Sequence, residues 1–196
     1  MEKQEPKSIE VFREGDFSKW LEKNHGKESH VVVILHKKHT GKMHTNAASL
    51  MREAICYGWI DTTSKRIDED RWAINYRKRS KNSKWSYNTL RYGEELIKEG
   101  KMKPAGLKAF EEGKKKKPHD FGLPENPNMP TELEIELSKN NKAKENFEKF
   151  SPSMKRTYYR WILRGKQKET REKRAKAAAK LALENVKVGA SLKVNN

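Results

Sequence analysis

The sequence predicts an α+β N-terminal domain, built as a small sheet with a β-hairpin and packed helices, followed by a C-terminal all-α helical domain. Three observations carry that reading. Residues 31–35, VVVIL, are five consecutive apolar residues of which four are β-branched, the pattern of a buried strand. Residues 60–67 and 71–77 flank the turn-like Asp68-Glu69-Asp70, the pattern of a hairpin. Beyond residue 130 only helix caps and helical periodicity recur. The domains are therefore placed at 1–113 and 131–190, joined by a Lys/Pro-rich linker at 114–130 and followed by a frayed tail at 191–196.

Each element has a local reason. Gly15-Asp16 offers an N-cap, after which Phe17, Trp20 and Leu21 share one helix face. Thr45 or Asn46 caps a second helix with the stripe Ala47, Met51, Ala54 and Ile55, and Gly58 suits its stop. Ser86 starts a helix to Lys98 that Gly100 closes, and Pro104 opens a shorter one to Phe110, stopped by Gly113. In 114–130 four lysines and four prolines lack apolar periodicity. The second domain then reads as four helices. The first opens on a capping box at 131–134, and Asn141 caps the second, to Phe150. Ser151-Pro152 begins the third, to about Arg164, and the fourth runs from near Glu169 to Val186.

Charge bounds the function. The chain carries 44 Lys and Arg against 27 Asp and Glu, a formal +17, which favours polyanions such as nucleic acid or anionic lipid. Residues 131–196 hold +9 of it and residues 1–113 hold +6. With 34% hydrophobic and 36% charged residues, a large enzyme core is not expected. Cys56 is the single cysteine, so no internal disulfide forms. No run of 18 apolar residues marks a membrane span and the first ten residues are too polar for a signal peptide, so a cytoplasmic protein is expected.

The densest binding signal is 71–91, with seven basic residues, no acidic ones, and Trp72, Tyr76, Trp85 and Tyr87 interleaved. Cations suit phosphates and release counterions, while exposed rings stack on bases. Candidate nucleic-acid contacts are Arg66, Arg77, Lys78, Arg79, Lys81, Lys84 and Trp85. Arg156, Arg160 and Arg164, four residues apart on one helix face, make a second set. The competing reading has Trp72, Ile74 and Tyr76 facing the core of a strand and the basic residues merely solvated. A pocket around Tyr57, Trp59 and Asp61 is the candidate for an unrecognised enzyme.

No catalytic motif is present: there is no Gly-rich phosphate loop, nucleophile elbow or HExxH. His25, His30, His36, His39 and His44 fit no zinc spacing, and two lysines separate His36 from His39, so neither metal nor cofactor is expected. Cys56 lies on the apolar side of its helix, where a thiol is inert packing.

Three motifs resemble one family. They are Ala54-Ile55-Cys56-Tyr57-Gly58-Trp59-Ile60-Asp61, then Lys84-Trp85-Ser86 with Asn88, and Gly100-Lys101-Met102-Lys103-Pro104-Ala105-Gly106. Together with Tyr158 to Lys166 and Glu169-Thr170-Arg171 they resemble the YdeI/OmpD-associated, or bacteriocin-protection, family. The resemblance implies a role in stress or antimicrobial-peptide tolerance and brings no catalytic residue. The expectation is a non-enzymatic basic binding protein with RNA or the ribosome as direct target. The alternatives are a module that docks an acidic protein or an anionic membrane surface, and the enzyme above.

Overall fold

The apolar run at 31–35 becomes β2 (His30–His36), the spine of the N-terminal unit. Val31, Val33 and Leu35 are fully buried while Val32 and Ile34 are half-buried on the other face, as strand alternation requires. The computed structural model describes residues 6–42 and 45–186, so His44 and the expected tail at 191–196 lie outside the described residues. Two compact units divide at Phe121 and Gly122.

In the first unit the predicted hairpin is β3 (Trp59–Arg66) and β4 (Arg71–Lys78), antiparallel, with a bulge between Asp61 and Thr63. Arg71 tightens its turn by donating to Asp68 Oδ2 at 2.8 Å. β4 also pairs antiparallel with β2. A further strand, β1 (Lys7–Val11), runs parallel to β2 and completes the order β1-β2-β4-β3. The sequence did not predict it, because KSIEV alone is too short and polar to read as a strand and depends on β2 for its pairing.

Four helices share the core with the sheet: α1 (Asp16–Asn24), α2 (Ala47–Cys56), α3 (Tyr87–Lys98) and α4 (Pro104–Lys114). Phe17, Leu21, Leu50, Ile55, Leu96 and Phe110 pack with Trp59, Ile74 and Tyr76 in one core. Asn46 caps α2, its side chain accepting from the N–H groups of Ala48 and Ser49 at 2.9 and 3.0 Å. Gly58 follows with φ +74°, and a Cβ there would sit 2.9 Å from the Ala105 carbonyl oxygen, so both the turn and the approach of α4 demand glycine. Ser86 caps α3 through a capping box with Thr89. Gly113 does not stop α4 as expected. It lies inside the helix, because only the missing side chain lets Trp85 pack there.

Residues 115–121 stay on the first unit. The His119 N–H donates to the Trp85 carbonyl at 2.9 Å, and buried Asp120 accepts from the Tyr87 N–H at 3.0 Å. In the second unit the Arg160 guanidinium donates to the Pro124 carbonyl at 2.6 Å and Arg156 to Asn126 Oδ1 at 2.8 Å.

The second unit comprises α5 (Thr131–Ser138), α6 (Asn141–Glu148), α7 (Pro152–Leu163) and α8 (Lys168–Leu183). Leu133, Leu137, Phe147, Phe150, Tyr158 and Ile162 pack on the alanine face of α8, Ala175, Ala178, Ala179 and Ala182. The expected capping box at 131–134 does not form. Pro130 is the N-cap, its carbonyl accepting from Leu133 and Glu134, so Thr131 is already helical. Asn140, not Asn141, caps α6. Ser151 and Pro152 open α7 as predicted.

Candidate anion-binding cleft

The hairpin continues one residue past β4, where the Arg79 N–H donates to the Gly58 carbonyl at 2.9 Å. The chain then reverses, with Ser80 N–H bonded to Ser83 Oγ at 2.9 Å and Ser83 N–H to the Ser80 carbonyl at 3.0 Å. That turn carries Trp85 beneath Arg79, and the guanidinium lies 3.6 Å from the centre of the indole ring. Trp85 is fixed by Phe110, edge-on at 5.6 Å, and by the bare backbone of Gly113.

Arg79 Nη1 donates to the Lys84 carbonyl at 3.3 Å. Nε and Nη2 are buried and have no hydrogen-bond partner. Desolvation pulls the Arg79 pKa down to about 10, with the charge of Asp61 working in the opposite direction, so the side chain remains a cation at neutral pH. A charged donor pair held out of water without an acceptor is costly, and an anion relieves it.

Arg79 and Trp85 line a cleft of about 300 Å³ whose walls include Tyr57, Gly58, Ala105 and Ala109. Lys78, Lys81, Lys108 and Lys116 also line it, and Glu112 is the one carboxylate among its lining residues. Lys115 engages that carboxylate at 2.6 Å. The cleft is thus apolar in its walls and cationic at Arg79 and its lysines.

The other sequence candidates are distributed differently. Arg77, Lys78, Lys81 and Lys84 are exposed at this end of the hairpin, whereas Arg66 pairs with Trp72 at the opposite end and donates to the Asp68 carbonyl. Trp85 is 3% exposed and covered by Arg79, so it offers no face to a base. Arg156 and Arg160 hold residues 124–126, while Arg164 is exposed after α7. Tyr57 lines the cleft, but Trp59 is fully buried and Asp61, whose pKa burial raises, does not reach the lining. Lys108 and Lys116 were missed, although Lys108 and Glu112 stand i, i+4 on one helix face.

Four of the candidate histidines have separate partners: His25 the Leu21 carbonyl, His30 Asn75, His36 Glu10 and His39 Asp70. Among the described residues no three His, Cys, Asp or Glu side chains gather to hold a metal ion. Burial raises the Cys56 pKa, the reverse of what a nucleophilic thiol needs. No described helix is long and apolar enough to cross a membrane.

Residues 9–109 match the model of a family described as a domain of unknown function (DUF8412). Residues 126–185 match the bacteriocin-protection, YdeI or OmpD-associated family. The three N-terminal motifs fall inside the first match, and 158–171 inside the second. No curated protein and no solved structure matches the chain.

Proposed function

The chain belongs to the DUF8412 family through residues 9–109 and carries a bacteriocin-protection, YdeI or OmpD-associated domain at 126–185, and from that premise we propose a non-enzymatic polyanion-binding protein whose direct target is RNA, free or in the ribosome. The observation that carries this reading is the convergence of Lys78, Lys81, Lys108 and Lys116 on one cleft whose single carboxylate is already engaged by Lys115. Cations gathered without matching anions attract a phosphate backbone and release its counterions. The formal charge of +17 adds a long-range field of the same sign. The name of the second domain's family supports a role in tolerance to bacteriocins. A non-enzymatic reading is supported by the cleft's chemistry, since Ser80 and Ser83 line it without a histidine or free carboxylate to activate them.

The test is salt dependence. Changing Lys78, Lys81, Lys108 and Lys116 together to alanine is expected to weaken single-stranded RNA binding. It should also flatten the slope of log K against log salt by roughly 3, about 0.7 per lost contact. Parent-like affinity and slope in that variant would remove the reading.

A further inference from the structure

We propose that the Arg79 cleft is a site for a small organic phosphate, a phosphomonoester on an apolar carrier. This goes beyond RNA binding and stands without it, since a small anion can occupy the cleft whether or not a polymer lies across its lysines.

The first argument is the geometry of the arginine. Nε and Nη2 form the side-on fork of the guanidinium, the pair that meets two oxygens of one oxyanion in parallel bonds. In this chain those two atoms are the ones left buried and unpartnered, while Nη1 is occupied by the Lys84 carbonyl. Stacking on Trp85 fixes the plane of the guanidinium, and the turn at 80–83 fixes the position of Trp85 beneath it. The fork is out of reach of solvent, and an oxyanion in the cleft gains it by a rotation of the guanidinium within its own plane, which keeps the stack on Trp85.

The second argument is charge. A phosphomonoester carries about −1.5 to −2 at neutral pH. One guanidinium balances a carboxylate, whereas Arg79 with four lysines and no free carboxylate in the lining suits a dianion. Asp61 is the acid whose charge acts on Arg79, and it does not line the cleft.

The third argument is shape. A volume of about 300 Å³ is at the small end for ligand sites. Tyr57, Ala105 and Ala109 supply apolar wall, and the small residues on α4 keep the space open. Bare orthophosphate would leave that wall unused, so the carrier is part of the recognition.

The experiment titrates the full chain with phenyl phosphate, orthophosphate, benzoate and phenol, following the amides of Gly58, Arg79 and Gly113 and the Trp85 indole by NMR. Phenyl phosphate is expected to saturate at one per chain at millimolar concentration or below. The other three, lacking carrier, second charge or any charge, should bind at least about tenfold more weakly. Arg79→Lys keeps the charge but loses the fork, and should weaken phenyl phosphate at least about tenfold. Ala109→Leu fills the wall and should weaken it similarly with Arg79 intact, which keeps the test decisive if Arg79→Lys folds poorly. Absence of saturation by phenyl phosphate overturns the proposal, as does binding unchanged in both variants. Orthophosphate binding as tightly as phenyl phosphate overturns the apolar carrier, and tighter benzoate binding overturns the phosphate assignment. RNA binding lost on removal of the lysines, with phenyl phosphate failing on the parent, would sink this inference alone.

Discussion

Gly106 marks the closest approach of α4 to the end of α2. A Cβ there would lie 2.1 Å from the Cys56 carbonyl oxygen, an atom that also accepts from the Lys103 N–H at 3.0 Å and so cannot move aside freely. Alanine is the better helix former by about 1 kcal/mol. The clash outweighs it, and Gly106→Ala is expected to destabilise the protein by about 1–3 kcal/mol in urea or guanidinium unfolding. A neutral or stabilised variant would mean the two helices separate without cost. The Gly58-Trp59-Ile60-Asp61 and 100–106 motifs stood out in the sequence, and in the structure Gly58, Trp59 and Gly106 are packing residues. The burial of Trp85 was not legible, because it depends on Phe110 and Gly113, which come much later in the chain and on another helix. The charge of Arg79 is legible in the sequence, but its unpartnered fork is visible only once the turn has stacked it on that ring.

At the scale of the element, termini decide much of the local structure. Ser86 accepts from the Thr89 N–H at 3.2 Å while Thr89 Oγ1 accepts from the Ser86 N–H at 2.9 Å. Ser86→Ala should therefore cost about 1 kcal/mol, seen as a lower melting temperature with unchanged helix content. No loss would show that Asp120, bonded to the next amide, suffices as the cap of α3. Caps of this kind, the hairpin and the apolar run of β2 were legible because each is written within a few neighbouring residues. The starts of α5 and α6 came out one residue away, where Pro130 precedes Thr131 and two asparagines stand side by side. β1 was illegible for a different reason: its five residues are ordered by pairing with β2, more than a helix further on.

For the whole molecule, the composition of 114–130 conceals how it is held. Its lysines and prolines read as linker, yet His119 and Asp120 bond to the segment that opens α3 while Arg156 and Arg160 hold 124–126. Residues 1–121 and 122–196, produced separately, are each expected to fold, with circular dichroism spectra that sum to that of the full chain. A fragment ending at 113 should melt below one ending at 121, since it leaves the Tyr87 N–H and the Trp85 carbonyl without their partners. Equal melting would assign those bonds no stabilising role. The strand order has a further consequence, for synthesis. In β1-β2-β4-β3 the last strand to be made is an inner one, so β2 lacks its second neighbour, and β3 any neighbour, until Lys78 has left the ribosome. At roughly 5–20 residues per second that leaves VVVIL with one open edge for several seconds on the growing chain. Translational pausing shortly before that point would lengthen the interval in which this run is open to chaperones or to neighbouring nascent chains, whereas pausing well after it, once the hairpin has closed the sheet, would leave folding of the first unit untouched.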